Sequence, residues 1–217
     1  MRWLAAQPPN LEEARQALER IVRDGNRAAE VMDRIRALVK KTPPRRERLD
    51  INQVVLEVIS LTQGELQRNR VEVQTQLARS LAGVPADRVQ LQQILLNLIL
   101  NAVEAMSELA DRPRKLVVGS AASDSHDVLV EVRDSGPGLD AAHLDRLFDS
   151  FYTTKPNGMG MGLAISRSIV EAHGGRLWAT PNEPHGAVFC FTLPTEDRDM
   201  PTSSSSAIEQ RPADASG

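Results

Sequence analysis

Two consecutive prolines, Pro43 and Pro44 after Thr42, split the chain into stretches of different periodicity, and that break constrains the fold more than any other feature. Proline lacks the backbone donor and pushes the residue before it out of the helical region, so a helix arriving from the N-terminal side stops there. Upstream, Leu11, Ala14, Leu18, Ile21, Gly25, Ala28, Met32, Ile35 and Val39 keep alternating steps of three and four. That spacing predicts one helix over 11–41 with a single narrow apolar stripe. Glu, Arg, Asp and Lys dominate the other positions, which suits a helical hairpin or coiled coil pairing two chains, or an amphipathic helix lying on its own domain. Gly25 weakens such a helix by roughly 1 kcal/mol relative to Ala and marks a close helix contact or a bend.

From Glu47 onward strands and helices alternate. Val71, Val73, Thr75 and Leu77 read as a half-buried strand, and the runs 116–121 and 128–133 as two more, joined by a polar turn at 123–127. The runs 176–179 and 187–193 read as a final hairpin. Helices are expected over 53–68, 88–109, 140–147 and 162–173, with Asp87 and Gln90 as the N-terminal cap of the second. Residues 196–217 carry Ser203 to Ser206 and almost nothing apolar, so they are expected to form a disordered tail.

Composition narrows the function classes. Among 217 residues, 26 Lys and Arg face 29 Asp and Glu, a net charge of −3, so there is no broad basic field and nucleic-acid binding is not expected. The one cysteine, Cys190, can make neither an internal disulfide nor a cysteine-based metal site, which fits a reducing compartment. The most apolar run, 94–103, contains Asn97 and Asn101 and is about half the roughly twenty residues of a membrane span. The N-terminal residues meet Pro8 and Pro9 at once, leaving no room for the apolar region of a signal peptide. No membrane segment and a cytoplasmic location are the expectation.

Three clusters in the alternating part carry chemistry. Asn97 and Asn101 stand four apart on the expected 88–109 helix and therefore on one face. An amide oxygen is a neutral, hard ligand suited to Mg²⁺, which takes its remaining ligands from phosphates and water; buried amides that merely bond to backbone are the ordinary alternative. The second cluster, Asp134-Ser135-Gly136-Pro137-Gly138, lies at a strand end. Its glycines imply a tight turn, and the acidic side chain there can accept from a buried amino group such as adenine N6, or simply belong to the turn. In the third, Gly158-Met159-Gly160-Met161-Gly162-Leu163, alternating glycines run straight into a helix, so backbone N–H groups and the helix start can meet phosphate oxygens. It does not follow a strand and is not a Rossmann fingerprint. Just before it, Phe148 and Phe151 read as aromatic anchors that also pack in the core, Thr153 and Thr154 supply hydroxyls, and Lys155 supplies a charge that would neutralise a triphosphate.

In this order, on a helix, a strand end and a helix start, the clusters resemble the N, G1, F and G2 boxes of the ATP-binding domain of sensor histidine kinases. The resemblance covers 48–194. The short lid Thr153-Thr154-Lys155-Pro156-Asn157-Gly158 and the stretch Glu171-Ala172-His173-Gly174-Gly175 are similar to those of the oxygen- and nitrogen-regulatory sensor kinases. It implies an α+β fold, a two-layer sandwich with a mixed sheet covered by helices, preceded by a partial helical hairpin. It also implies ATP and Mg²⁺ as cofactors, with Asn101 holding Mg²⁺ and Asn97 beside it near the phosphates. Asp134 would recognise adenine over a floor shaped by Gly136 and Gly138. Lys155 and the amides around Gly158, Gly160 and Gly162 would meet the phosphates, with Thr153, Thr154 and Leu163 completing the nucleotide site; Asn97 and Lys155 are the candidate catalytic residues.

The same family includes hydrolytic ATPases, some of which place a Glu one turn before the metal-binding Asn to activate water. Here that position is Asn97, which favours phosphoryl transfer to a protein, although Glu104 stands nearby. Residues 1–46 resemble the end of the first helix, the connection and the second helix of the dimerisation and phosphoacceptor hairpin. The acceptor histidine expected on the first helix is not among them, since the four histidines are His126, His143, His173 and His185. The expected organisation is a partial hairpin over 1–46, an ATP-binding catalytic domain over 47–195 and a tail over 196–217. The expected partners are a response-regulator receiver domain and a second copy, or a complete kinase, paired through helix 11–41. A non-enzymatic ATP-binding partner of complete kinases and an anti-sigma-type serine kinase are the competing readings.

Overall fold

A computed structural model describes Glu13, residues 15–17, 46–107, 109–123, 127–155 and 159–195. The chain divides into two compact units, Met1–Pro44 and Arg45–Gly217. In the first, Glu13 and residues 15–17 are helical. The remainder of the expected 11–41 helix, the Pro43-Pro44 break, the tail 196–217 and His126 lie outside the described residues.

In the second unit the order is β1 (Glu47–Leu49), α1 (Ile51–Arg68), β2 (Val71–Leu77), β3 (Val84–Ala86), α2 (Arg88–Met106), β4 (Arg114–Ala122), β5 (Asp127–Asp134), a 3₁₀ turn (Ala141–Arg146), α3 (Gly162–Ala172), β6 (Arg176–Pro181) and β7 (Ala187–Pro194). Five strands form a mixed sheet in the order β2-β4-β5-β7-β6, with β2 and β4 parallel and the other neighbours antiparallel. β1 and β3, which the sequence reading does not anticipate, pair separately. At three residues each they are too short to show a period.

Strand β5 shows how the sheet meets the helices. Val128, Val130, Val132 and Asp134 are buried while the residues between them are only half-buried, the period of two of a strand with one covered face. Helix α1 is capped by Asp50, whose carboxylate accepts from Asn52 N at 2.9 Å. In α2 the buried residues Leu91, Ile94, Leu95, Leu98, Ile99, Ala102, Val103 and Met106 make an apolar face two stripes wide. One polar line carries Asn97, Asn101 and Glu104 at steps of four and three, and Arg88 and Gln92 on another side bond Glu57 of α1.

Two boundaries differ from the sequence reading. Helix α2 ends at Met106 and not at residue 109, because Arg114 takes the carbonyls of Ser107 at 2.7 Å and Leu109 at 2.8 Å, while its other terminal nitrogen holds Asn69 O at 2.7 Å. A side chain from the next strand thus holds the Ser107 and Leu109 carbonyls, and Ser107 N bonds Glu104 O at 3.1 Å, three residues back and not the four of an α-helix. The expected 140–147 helix is a 3₁₀ turn over Ala141–Arg146. Among the described residues no helix is long and apolar enough to cross a membrane.

Candidate functional site

Helix α2 is the spine on which the three clusters meet. At its C-terminal end the Asp134 turn lies against it: a Cβ on Gly136 would stand 3.4 Å from Ala105 Cβ and 2.7 Å from Asp134 Oδ1. Gly136 therefore has no room for a side chain. One turn back, Asn101 Oδ1 accepts from Lys155 Nζ at 3.1 Å. Asn101 Nδ2 donates to Asn97 Oδ1 at 3.5 Å, and Asn97 Nδ2 donates to Ser166 Oγ on α3 at 3.0 Å. Gly162, the first residue of α3, is so close to Asn97 that a Cβ there would overlap the amide oxygen.

Asp134 is 3 % exposed and held by backbone. Its Oδ1 accepts from Gly136 N at 2.8 Å and from Ala187 N, at the start of β7, at 3.2 Å. Among the described residues Oδ2 has no donor, and it is the atom free to accept from a ligand amine. Burial raises the carboxyl above its ordinary range, and the two N–H groups oppose that rise without cancelling it. The hairpin loop between β6 and β7 closes behind it: Asn182 Nδ2 donates to Asp134 O at 2.9 Å, and Gly186, at φ 110°, packs so tightly that a Cβ would strike that carbonyl. Gly138, at φ 98°, also faces Gly186: a Cβ on it would stand 3.3 Å from the Gly186 carbonyl oxygen. On the other flank Arg112 donates to Gly136 O at 3.1 Å, and Ser135 Oγ accepts from Lys115 N at 2.9 Å.

The glycine-rich turn is closed by backbone. Phe151 N donates to Gly160 O at 2.8 Å, and Gly160, at φ 64°, leaves no space for a Cβ beside the Tyr152 carbonyl. Phe148 packs against the core, but Phe151 does not: it is 75 % exposed with φ 68°. The expected core role of Phe151 is thereby corrected. The turn that brings its N–H to Gly160 points its ring outward. Thr153 Oγ1 accepts from Lys155 N at 3.1 Å, Thr154 is exposed, and Leu163 packs against the core edge. Gly158 lies outside the described residues.

Lys155 Nζ also pairs with Glu104 Oε2 at 2.5 Å. The ammonium can only donate, so Asn101 turns its oxygen, and not its nitrogen, toward a cation. That orientation suits Mg²⁺. Among the described residues no three His, Cys, Asp or Glu side chains group into a metal cage, so a cation here would draw on this amide oxygen together with phosphates and water. At the position one turn before Asn101, the Asn97 amide is engaged on both sides and carries no basic oxygen.

Sequence reasoning found Asn97, Asn101, Asp134, Lys155 and the glycines; it missed Ser166, Asn182, Gly186, Ala187 and Arg112. Asn182, Gly186 and Ala187 reach Asp134 through the hairpin loop and the β5–β7 register, in which Arg133 pairs with Val188, and Arg112, on the α2–β4 connection, reaches the Gly136 carbonyl. No short-range signal marks them. Cys190 is buried on β7; burial and the Glu131 carboxylate push its thiol up to about 12, so it is no nucleophile at neutral pH. His173, expected as a helix-terminal imidazole, is indeed at the end of α3 but 5 % exposed, with Nδ1 against Ile169 O at 2.8 Å and Nε2 accepting from Asp87 N at 3.2 Å. His143 is half-exposed beside Tyr152, and His185 is exposed in the β6–β7 loop.

Comparison with known proteins agrees with this geometry. Residues 86–197 match the family described as histidine kinase-, DNA gyrase B-, and HSP90-like ATPase. The chain is 37 % identical over 194 residues to the sensor histidine kinase TmoS of Ectopseudomonas mendocina, covering 89 % of this chain and 20 % of that protein. It thus spans a fifth of that relative's length. The catalytic domain of the histidine kinase ThkA superposes with a TM-score of 0.62 at 32 % identity, covering 69 % of this chain and 95 % of that one. The crystal structure of ThkA in complex with the response regulator protein TrrA gives a TM-score of 0.72 at 26 % identity, covering 90 % and 55 %. The chain belongs to the histidine kinase-, DNA gyrase B- and HSP90-like ATPases, and its α/β sandwich is the ATP-binding catalytic domain of a sensor histidine kinase.

Proposed function

We propose that the chain is the kinase core of a two-component sensor histidine kinase, holding Mg·ATP so that its γ-phosphoryl group passes to a histidine outside residues 1–217, in trans or on a longer form of the chain, and then to a response-regulator receiver domain. The observation that carries this reading is the convergence on α2 of Asp134, with one carboxylate oxygen free, and of Asn101, with its oxygen toward a cation.

Asp134 Oδ2 accepts from the adenine amino group, and Gly136 and Gly138 keep the floor of that pocket free of side chains. Asn97 and the N–H groups at the start of α3, around Gly160 and Gly162, face the phosphates, with Thr153, Thr154 and Leu163 alongside. Lys155 turns its ammonium to the terminal phosphate. When bound, Mg²⁺ supplies charge neutralisation through Asn101 Oδ1. The protein's share of the catalysis is positioning and electrostatics. Hydrolysis is disfavoured because Asn97, at the position one turn before Asn101, is no general base.

The acceptor is proposed to stand on the first helix of a phosphoacceptor hairpin, either in trans, on a hairpin that pairs with helix 11–41 as a homodimer or with a complete kinase, or on a longer form of this chain. The domains proposed are a partial hairpin over 1–46, the catalytic domain over 47–195 and a tail beyond, in a cytoplasmic, reducing setting that accords with a single, buried cysteine. A non-enzymatic ATP-binding partner of complete kinases is the second reading. Incubation with γ-labelled ATP separates the two. Acid-labile, alkali-stable label is expected on an added phosphoacceptor hairpin and not on this chain alone; label on neither, with ATP bound, favours the second reading. Label on this chain that disappears on changing one of His126, His143, His173 or His185 overturns the acceptor assignment.

A further inference from the structure

Asn101 Oδ1 is the atom assigned above to a divalent cation, and the structure fills its face with a different cation. Lys155 Nζ stands 3.1 Å from it and 2.5 Å from Glu104 Oε2. Asn101 and Glu104 are three apart on α2 and therefore neighbours on one face of the helix. A single ammonium can therefore bridge both. The lysine is aimed there by its own turn, where Thr153 Oγ1 accepts from Lys155 N at 3.1 Å.

Two cations cannot share one amide oxygen at contact distance, because their mutual repulsion adds to the competition for one acceptor. We propose that Glu104 is a positioning residue that latches Lys155 onto Asn101 Oδ1 in the nucleotide-free protein, so that the lysine and the nucleotide's divalent cation take turns at that oxygen. The proposal rests on the ATP reading. In it, arrival of the metal nucleotide expels the ammonium from α2, and the freed lysine becomes available to the terminal phosphate. Glu104 then makes the empty site less receptive, and it is the residue that the sequence reading left without a role.

The ion pair is exposed, with side-chain exposures of 41 % for Lys155 and 62 % for Glu104, so the latch is weak and easily reversed. Glu104→Gln keeps the side-chain shape while removing the charge that holds the lysine. It is expected to raise the affinity for Mg·ATP by about two- to fivefold.

Removing any negative charge near a phosphate site would also help an anion bind, so the deciding measurement is a double-mutant cycle. Calorimetric titration of the full chain with a non-hydrolysable ATP analogue and Mg²⁺ is run on the parent, Glu104→Gln, Lys155→Met and the double variant. With the latch, the gain from Glu104→Gln vanishes once Lys155 is Met. If the gain is equally large in both backgrounds, Glu104 acts only as a bulk charge and the latch is overturned, while the ATP reading stands. If the parent takes up no nucleotide, the ATP reading fails and the latch with it.

Discussion

The two ends of the candidate site are built from different materials. At the Asp134 end the backbone does the holding: a strand terminus, two N–H donors from Gly136 and Ala187, and a hairpin loop packed too tightly for a Cβ at Gly186. At the other end side chains hold one another, the half-buried Lys155, Asn101 and Asn97 in turn and then the buried Ser166. Backbone register is fixed by the whole sheet and does not adjust to a ligand; side chains trade partners on rotamer timescales. On the proposed ATP reading, base recognition falls to the rigid end and the exchange of phosphate and cation to the adjustable one.

The strongest way to break that comparison is at Asp134. Removing a hydrogen-bonded buried carboxylate costs a ligand on the order of 1.5 to 3 kcal/mol, so Asp134→Ala is expected to weaken binding of a non-hydrolysable ATP analogue roughly tenfold to more than a hundredfold. Unchanged affinity would dismiss the adenine assignment. Stability moves the other way. The folded-state carboxyl lies above its ordinary range, so the folded chain holds the proton more tightly than the unfolded chain does. The stabilisation that this gives is full below the unfolded value and is lost as pH rises through the folded one. Asp134→Asn should therefore lose nucleotide binding yet show a flatter melting temperature than the parent as pH rises from the ordinary carboxylate value of about 4. Parallel melting curves for the two proteins over that rise would show that burial is not straining this carboxylate.

Gly160 tests where the rigid and adjustable parts join. Its φ of 64° and the Tyr152 carbonyl beside it leave no place for a side chain. Gly160→Ala forces a left-handed alanine, costing about 1 to 2 kcal/mol, and also displaces the turn that Phe151 N–H closes. A loss of several-fold or more in ATP-analogue affinity, with a melting temperature lowered by a few degrees, is expected. Equal affinity with lowered stability would mean that the turn serves the fold and not the phosphates.

What the sequence discloses divides along the same line. The strand over 71–77, the Asp134 strand end, the spacing of Asn97 and Asn101 and the helix start at Gly162 are local patterns, and each stands where its period or turn chemistry places it. The end of α2 is not local: Arg114 decides it from the next strand. Neither are Asn182 and Ala187, about fifty residues from Asp134 and joined to it only through the β5–β7 pairing and its loop. Phe151 inverts a local expectation, since a phenylalanine near a core normally buries its ring, and only the closure onto Gly160 turns it outward. Long-range register and backbone closure leave no period in the sequence.

Ser166 sharpens the adjustable end with the smallest effect. It is 1 % exposed on α3, and its hydroxyl is what Asn97 Nδ2 donates to. Gly162, beside the Asn97 oxygen, places the positive start of α3 there, so amide nitrogen toward Ser166 and oxygen toward the helix start is the favoured orientation. That orientation leaves Asn97 Oδ1 to receive Asn101 Nδ2, and Asn101 Oδ1 to face a cation. Ser166→Ala removes the tether without adding bulk and lets Asn97 turn. The loss of one neutral hydrogen bond corresponds to roughly a two- to tenfold fall in Mg·ATP affinity. Because the tether acts through the cation's ligand, affinity measured with EDTA in place of Mg²⁺ should hold within about twofold, and Ser166→Thr should recover most of the Mg²⁺-dependent part. A fall of the same size with and without Mg²⁺ would mean that Ser166 packs α3 against α2 and does nothing to orient the amides.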